Sequence, residues 1–317
     1  MKFATIGHLM IESDIQQIPR DWIHNNWIYS PEINLDRIKG RITGLKLTAE
    51  QIMKQSLEEI RKRLLELILF LQNELDINLI QLGALTTSVT DGGVWVTKQK
   101  EYTGFVNHGD SYTAAITCQA TIKTLEVRKK NLSDLTLSIV GAYGIIGEAV
   151  SKILVPQFSH SVLVGRRENK LKELQNKLDG DFEITTDLKT KTADVIITAT
   201  SHPTALLTSE NVKKNAIIID VSQPPNFSYP VWRQRPDSLR IDGGLVHLPK
   251  QFPFRVPSLP DDKIFSCVAE IIMQAMENER KNHVGSIDMN HLKKTETWGY
   301  KYGFTLNQLT NFGKTID

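Results

Sequence analysis

The second half of the chain alternates short apolar runs with stretches of helical periodicity. The runs are rich in valine and isoleucine and lie at residues 136–140, 161–164, 195–199, 217–221 and 239–241. Apolar strands separated by helical segments, such as 144–155 and 168–178, are typical of a parallel sheet that helices cover on both faces. The pattern therefore predicts a doubly wound, Rossmann-like α/β domain over residues 133–248.

The first part of the chain mixes both periodicities. Residues 2–7 predict a strand, and the segments 79–84 and 86–90 predict two more. A capping box at Thr48–Gln51 precedes apolar residues spaced by three and four positions up to Leu71, which predicts one long helix. Together with a helix near 111–130, these elements predict a mixed α/β substrate domain over residues 1–132.

The C-terminal part is predicted to complete that substrate domain. A proline-rich stretch, which includes Pro253 and Pro257, follows the parallel-sheet region and predicts a connection that crosses back. A helix from about 262 to 279 and a further helical region follow. We therefore expect residues 249–317 to form a helical segment that packs on the substrate domain.

Composition narrows the functional classes. The chain has 317 residues, 38 of them Lys or Arg and 36 Asp or Glu, so its net charge of +2 argues against nucleic acid as a partner. Two cysteines favour a reducing compartment. The longest apolar run, 64–71, contains Glu66 and is too short for a transmembrane segment, and no signal peptide is evident. These features predict a cytoplasmic protein and leave the oligomeric state open.

A glycine-rich turn follows the first strand of the predicted parallel sheet. In Gly141-Ala-Tyr143-Gly144-Ile-Ile-Gly147 the first glycine allows a tight turn, the second lets backbone approach a pyrophosphate, and the third permits close helix packing. The N-terminus of the following helix favours an anion. The turn therefore predicts a dinucleotide site. The predicted contacts from this turn are Gly141, Tyr143, Gly144, Ile145, Ile146 and Gly147.

The end of the second strand indicates which dinucleotide is bound. An NAD site places Asp or Glu there to bind the ribose 2′-hydroxyl, whereas this chain has Arg166 and Arg167, whose guanidinium groups suit a 2′-phosphate. NADPH is therefore the predicted cofactor. Thr200, Ser201 and Val221 follow later strands and are predicted to lie near the nicotinamide half, because ligands bind at the carboxyl ends of such strands.

Cys267 and His247 are the candidate catalytic residues. If Asp261 or Asp262 caps the following helix, Cys267 lies in its first turns, where a helix N-terminus lowers a thiol pKa. The alternative is a small residue packed in the core. His247 follows a sheet strand and could protonate a leaving group, or it could be a hydrogen-bonded structural histidine. No metal site is predicted.

Several motifs resemble those of one enzyme family. They are Ile6-Gly-His-Leu9, Leu82-Gly-Ala-Leu-Thr-Thr-Ser88, Gly109-Asp-Ser-Tyr-Thr-Ala114 with Cys118 four residues later, the glycine turn, Pro224-Pro-Asn226, Gly243-Gly-Leu-Val246 and Phe265-Ser-Cys-Val-Ala-Glu270. In this order they resemble the aldehyde-forming long-chain acyl-carrier-protein reductases of cyanobacteria. Tyr143 departs from that pattern, because the family has a small polar residue there.

The resemblance implies an NADPH-dependent reductase that converts an acyl thioester, carried by acyl carrier protein or coenzyme A, to an aldehyde. It implies that Cys267 forms the acyl-enzyme, and it leaves Cys118 a packing role. The alternative is an NADP-dependent dehydrogenase of a small amino, hydroxy or keto acid without covalent catalysis, because a fold does not fix a function. A nucleotide-sensing binding protein without turnover is a third hypothesis.

Overall fold

The computed structural model describes residues 1–35, 37–252, 256 and 259–316, so Pro253 and Pro257 lie outside the described residues. Its strands are β1 (Lys2–Leu9), β2 (Trp27–Tyr29), β3 (Ile33–Leu35), β4 (Ile38–Thr48), β5 (Leu79–Leu82), β6 (Phe105–Asn107), β7 (Thr136–Val140), β8 (His160–Val164), β9 (Phe182–Thr185), β10 (Val195–Thr198), β11 (Ile217–Asp220), β12 (Leu239–Asp242), β13 (Leu245–His247), β14 (Lys263–Phe265), β15 (Thr310–Asn311) and β16 (Lys314–Thr315).

The α-helices are α1 (Ala49–Lys54), α2 (Leu57–Leu75), α3 (Leu85–Val89), α4 (Val94–Thr97), α5 (Asp110–Val127), α6 (Ile145–Leu154), α7 (Glu168–Gln175), α8 (Tyr229–Gln234), α9 (Ser266–Met276) and α10 (Met289–Tyr302). None of these helices combines the length and the apolar character that a bilayer crossing needs, within the part of the chain that the structure describes.

The chain folds into two compact units. Unit 1 contains residues Met1–Tyr112 and Val246–Thr305, and unit 2 contains Thr113–Leu245 and Leu306–Asp317. These limits differ from the predicted domains 1–132, 133–248 and 249–317. Helix α5 begins in unit 1 and continues in unit 2, so the division falls inside a helix, where no loop composition marks it.

Unit 2 contains the predicted doubly wound sheet. Its strand order is β12-β11-β10-β7-β8-β9, and all five neighbouring pairs are parallel. The order changes direction beside β7, which is the position where open α/β sheets bind ligands. The Rossmann-like fold class is therefore confirmed. Strand β9 was not predicted, because Phe182–Thr185 alternates polar and apolar residues at a half-buried sheet edge.

The predicted alternation of strand and helix fails between β10 and β11. The segment 199–216 contains no helix among the described residues. Pro203 disfavours helical backbone at the residue before it, and the His202 ring instead contacts the backbone of Thr204 in a turn.

Unit 1 is the predicted mixed α/β unit. Its sheet has the order β2-β4-β1-β5-β6, in which β4, β1, β5 and β6 are parallel while β2 and β3 pair antiparallel with β4. Helix α2 buries a single apolar stripe in the same core as these strands. The stripe contains Ile60, Leu64, Leu67, Ile68 and Leu71.

Two local predictions for unit 1 were wrong. The capping box at Thr48 is present, but α1 ends at Lys54, and α2 begins after a second cap, in which Ser56 Oγ accepts from Glu59 N–H. The segment 86–90 is mostly helix α3 and not a strand. The Thr86 hydroxyl donates to the Gly83 carbonyl and so supports the helical turn.

The start of the helix that carries Cys267 also differs from the prediction. Residues Lys263–Phe265 form strand β14, which pairs with β13, so α9 begins at Ser266 rather than near residue 262. Phe265 occupies the N-cap position and gives no side-chain cap. The carboxylate of Asp262 instead pairs with Lys263 at 2.9 Å. Cys267 is therefore the second residue of its helix.

Candidate functional site

The glycine turn of unit 2 is held by backbone hydrogen bonds at the end of β7. The N–H groups of Gly141 and Ala142 donate to the carbonyl of Val164 at 2.9 and 3.1 Å, and Gly144 N–H donates to the Gly141 carbonyl at 2.9 Å. Gly144 is the N-cap of α6, whose first residues are Ile145 and Ile146. The turn thus presents a helix N-terminus.

The glycines are required by close contacts. Gly141 has φ +88°, and a Cβ there would overlap the carbonyl of Ala199. A Cβ on Gly147 would overlap the Gly141 carbonyl, so α6 packs directly on the turn. Bare backbone and free helix N–H groups fit the pyrophosphate of a dinucleotide.

The residues predicted to bind the adenosine end of the dinucleotide follow β8. Arg166 and Arg167 are both exposed there. The ring of Tyr143 lies on Gly165, where a Cβ would overlap it, and the Arg167 guanidinium lies 5.4 Å from the Tyr143 ring centroid. Two arginines fit a nucleotide that carries a 2′-phosphate.

The other predicted contacts lie at the same edge of the sheet. Thr200 is beside Gly141, since a Cβ on that glycine would be 2.9 Å from Thr200 Cγ2. The Thr200 hydroxyl donates to Asn226 Oδ1 at 2.6 Å, and its N–H donates to Ser222 Oγ at 3.0 Å. Ser201 is exposed. Val221 packs near Gly243, 3.1 Å from the position of a Cβ there.

A buried charged group that the sequence did not predict supports this edge. The Arg240 side chain is 2% exposed and lies between Asp220, at 3.4 Å, and Asp242, at 2.6 Å. Its guanidinium is 3.9 Å from the ring centroid of Phe312, and Gly313 N–H donates to Asp242. The Asp220 carboxylate also accepts hydrogen bonds from the N–H groups of Asn226 and Phe227. The ion pair of Arg240 with Asp220 is therefore linked to the loop after β11.

Cys267 is the centre of the candidate active site in unit 1. It is partly exposed at the N-terminus of α9. The turn before α5 approaches it closely, because a Cβ on Gly109 would lie 2.5 Å from the Cys267 Cβ and 2.7 Å from its carbonyl oxygen. Gly109 has φ +72°, which a side chain would disfavour. The contact brings the first residue of α5, Asp110, to the Cys267 region.

The electrostatic environment of Cys267 differs from the prediction. The N–H groups of Cys267 and Val268 favour the thiolate, as expected at a helix N-terminus. Burial, followed by the charges of Asp110 and Glu270, outweighs them and raises the pKa of Cys267 to about 12. The predicted lowering of this pKa was therefore wrong.

Asp110 and Glu270 are held in different charge states. Burial, and then the nearby Glu270 charge, hold the pKa of Asp110 well above its usual range. Burial also opposes ionisation of Glu270, but hydrogen bonds from His291, at 3.1 Å, and Tyr112 N–H, at 2.7 Å, lower its pKa overall. Glu270 is thus the ionised carboxylate, and Asp110 is the group that holds a proton more readily.

His108 is a structural histidine in this cluster. Its Nδ1 accepts from Asp110 N–H at 2.9 Å, and its ring also bonds the backbone of Gly285. Burial lowers the pKa of His108 to about 4, so the ring is neutral at pH 7. With both nitrogens engaged, His108 positions the start of α5.

A second group of side chains lies behind Glu270. The rings of His283 and His291 stack with centroids 3.4 Å apart, and Glu279 bonds His283 at 3.0 Å. Donor atoms of Glu279, His283 and His291 lie within 4.8 Å of one another, as metal ligands would. Each already has a protein partner, because Glu279 also pairs with Lys294 at 2.6 Å and His291 with Glu270. We assign no metal to them.

The remaining predicted residues lie apart from this cluster. His247 is half-buried on β13, where its N–H donates to the Thr305 carbonyl at 2.9 Å. The described hydrogen bonds and ion pairs do not join it to Cys267. The pKa of Asp262 is lowered chiefly by the hydrogen bond from Lys263, and His247 makes a smaller electrostatic contribution. Cys118 is buried on the part of α5 that belongs to unit 2.

Sequence reasoning missed the residues around Cys267, although two signals were present. Glu270 follows Cys267 by three positions and so lies on the same face of α9. His108 and Asp110 flank Gly109 directly after strand β6. Asp110 belongs to the Gly109–Ala114 motif that resembles the acyl-carrier-protein reductases.

Comparison with known proteins supports the assignment of unit 2. The family model for shikimate / quinate 5-dehydrogenase matches residues 123–235, which lie within that unit. The long-chain acyl-[acyl-carrier-protein] reductase of Synechococcus elongatus is 25% identical over 210 residues, which cover 62% of this chain and 60% of that protein. The aminotransferase PigE of a Serratia strain is 26% identical over 57% of this chain and 22% of its own length.

Among solved structures, L-tryptophan dehydrogenase from Nostoc punctiforme is 13% identical and has a TM-score of 0.44, over 95% of this chain and 80% of that chain. The chain spans less than two thirds of the curated relatives named above. The glycine turn and the sequence relationships support NADP(H) binding, as predicted. The sequence similarities to this chain therefore include both a dehydrogenase family model and a reductase.

Proposed function

We propose that this protein is an NADPH-dependent reductase that converts an acyl thioester to an aldehyde through an acyl-enzyme on Cys267. The observation that carries the proposal is the position of this cysteine. It is partly exposed at a helix N-terminus, beside Asp110, and the backbone of Gly109 packs directly against it. The 25% identity to an acyl-carrier-protein reductase supports the same chemistry.

The raised pKa of Cys267 requires that a proton acceptor assist its attack. A thiol with a pKa of about 12 is almost fully protonated at pH 7. Both nitrogens of His108 are engaged, and Glu270 already accepts hydrogen bonds from His291 and Tyr112, so Asp110 is the better acceptor. A carboxylate whose pKa is raised accepts a proton more readily than an ordinary one, so its basicity is better matched to the thiol.

In the acyl transfer, Asp110 carries the proton between the Cys267 thiol and the leaving thiolate. Cys267 Sγ forms a bond to the thioester carbonyl carbon, and its proton passes to Asp110. The bond to the carrier sulfur breaks, and Asp110 returns the proton to the departing thiolate. The product acyl-enzyme is uncharged, so the burial that penalises a Cys267 thiolate does not penalise it.

The second half of the reaction needs a hydride. NADPH would supply this hydride to the acyl-enzyme carbonyl when bound. The chain's own role is to hold the cofactor on the glycine turn and on Arg166 and Arg167, which follow β8. One proton is taken up overall, and release of the aldehyde regenerates the Cys267 thiol.

The developing negative charge on the thioester carbonyl oxygen requires hydrogen-bond donors. Backbone N–H groups between Leu85 and Ser88 are one set of candidate donors. Leu85 N–H, however, donates to His8 Nε2 at 3.2 Å, and the N–H groups of Thr86 and Thr87 donate to carbonyls of the same turn. The N–H groups of Cys267 and Val268 lie at the reacting sulfur itself and are not bonded to a backbone carbonyl there, so they are the better candidates.

Intact-protein mass spectrometry tests this function. The protein is incubated without NADPH with acyl-coenzyme A and acyl carrier protein thioesters of several chain lengths, and adducts are mapped by digestion. We expect an acyl mass on Cys267 that disappears when NADPH is added, with aldehyde formed. Failure of every thioester to form an adduct, with NADPH oxidised by a keto acid instead, would favour the alternative dehydrogenase.

A further inference from the structure

Tyr143 makes a contact that its position in the glycine turn does not require. Its ring lies on the backbone of Gly165 at the end of β8, and a side chain at residue 165 would overlap it. Gly165 does not have positive φ, so its backbone conformation is open to other residues. The missing side chain at 165 therefore makes room for the tyrosine ring.

The same ring supports Arg167. The guanidinium carbon lies 5.4 Å from the ring centroid, within the range of a cation–π contact. Arg167 is exposed at the N-cap of α7, and its side chain makes no ion pair among those found in the described residues. A long side chain at the surface would otherwise sample many rotamers, so the ring restricts where this charge lies.

We infer that Tyr143 is a specificity-determining residue of the cofactor site, whose ring holds the Arg167 guanidinium in place for the 2′-phosphate of NADP(H). The inference rests on the cofactor site of unit 2 and not on thioester chemistry. It predicts that the ring matters and that the phenol hydroxyl does not, because a cation–π contact uses the ring face.

Calorimetric titration tests this with ligands that lack the nicotinamide ring. The ligands are 2′-phospho-ADP-ribose and ADP-ribose, so the readout is the affinity ratio conferred by the 2′-phosphate and is independent of turnover. The variants are Tyr143→Phe, Tyr143→Ala, Arg167→Ala and the double variant Tyr143→Ala/Arg167→Ala. Tyr300→Ala, which removes a tyrosine that is 73% exposed in unit 1, is the control.

We expect Arg167→Ala to reduce the 2′-phosphate preference by about tenfold or more, the effect of losing a charged hydrogen-bond partner. Tyr143→Ala should reduce it by about two- to fivefold, the size of an exposed cation–π contact, and should leave ADP-ribose binding unchanged. Tyr143→Phe and Tyr300→Ala should retain the preference. In the Arg167→Ala background, loss of the Tyr143 ring should have no further effect on the ratio.

Three results would overturn the inference. Equal weakening of both ligands by Tyr143→Ala would mean that the ring supports only the fold of the turn. Tighter binding of 2′-phospho-ADP-ribose would mean that the ring obstructs the phosphate. Additive losses in the double variant would mean that the two side chains act separately. None of these results would alter the acylation of Cys267, so failure here is distinguishable from failure of the proposed function.

Discussion

Gly109 and Cys267 are in direct backbone contact, close enough that a Cβ on the glycine would lie 2.6 Å from the Cys267 Cα. The contact joins the turn before α5 to the first turn of α9. It explains why Asp110 acts on the Cys267 thiol although the two residues are far apart in sequence. The geometry of the candidate active site therefore depends on a glycine that carries no chemistry.

Replacing Gly109 with alanine should separate these two helix starts. The new methyl group meets backbone atoms that cannot move aside, and φ +72° is unfavourable for alanine, so we expect a loss of about 1–3 kcal/mol in unfolding free energy. Acylation of Cys267 should be lost as well. Urea denaturation and adduct mass measure the two effects. Gly180→Ala, which also has a positive φ (+112°) but lies in unit 2, where its new Cβ would meet Pro156 and Val155, is the control and should keep acylation.

Cys267→Ser should abolish both the acyl adduct and aldehyde formation, because a serine hydroxyl is a much weaker nucleophile than a thiol without a strong base. NADPH affinity should be unchanged, since the glycine turn belongs to unit 2. Cys118→Ser should retain adduct and aldehyde and lose some stability, because a hydroxyl replaces a thiol at a buried site. An adduct found on Cys118 alone would contradict the mechanism.

Asp110→Asn should have opposite effects on two reactions of the same thiol. The Asp110 charge raises the pKa of Cys267, so its removal should increase the thiolate fraction and the rate of alkylation by iodoacetamide at a given pH. Acylation by a thioester should slow by about 10²- to 10⁴-fold, because the proton acceptor is gone. Asp179→Asn, at an exposed position in unit 2, should change neither rate. Parallel changes in both rates would rule out a role for Asp110 in proton transfer.

Stability should depend on pH through His108. Its pKa is about 4 when folded and near 6.5 when unfolded, so the unfolded chain binds more protons in this interval and stability falls as pH decreases from 6.5 to 4. The contribution is at most about 3 kcal/mol. Asp110, with its raised pKa, acts in the opposite direction, so the wild-type profile alone is ambiguous.

The difference in unfolding free energy between wild type and His108→Asn isolates the contribution of His108 ionisation. The variant will have a lower unfolding free energy at neutral pH because it loses a buried hydrogen-bonded ring. Its deficit relative to wild type should shrink as pH falls from 6.5 to 4, as measured by urea denaturation at each pH. A deficit that stays constant across this interval would contradict the assigned pKa.

The parts of the fold that were predictable are those fixed by local pattern. The glycine turn between Val140 and Gly147 has a backbone requirement that sequence expresses directly, and the apolar strands of unit 2 leave little choice of partner. Strand β9 and helix α3 were missed because each depends on its neighbours. The first is a half-buried edge, and the second is a threonine-rich run whose hydroxyls bond backbone carbonyls.

Of the residues grouped in the candidate active site, only Cys267 was singled out by its sequence position. The pKa of Cys267 could not be read from a helix N-terminus alone, since burial and two carboxyl groups from different parts of the chain oppose the helix. Asp110 precedes Cys267 by more than 150 residues. Only the fold brings them together, so no local sequence pattern could indicate that Asp110 raises the pKa of Cys267.

The guanidinium of Arg240 has a consequence for the order in which this protein can be completed. Phe312 and Gly313, which cover Arg240 and bind Asp242, are translated after residues 246–305, the segment that finishes unit 1. While the ribosome is still making that segment, unit 2 has its sheet but lacks the cover over a buried charge. Cotranslational folding of unit 2 therefore reaches its final state only after the chain for unit 1 has been made.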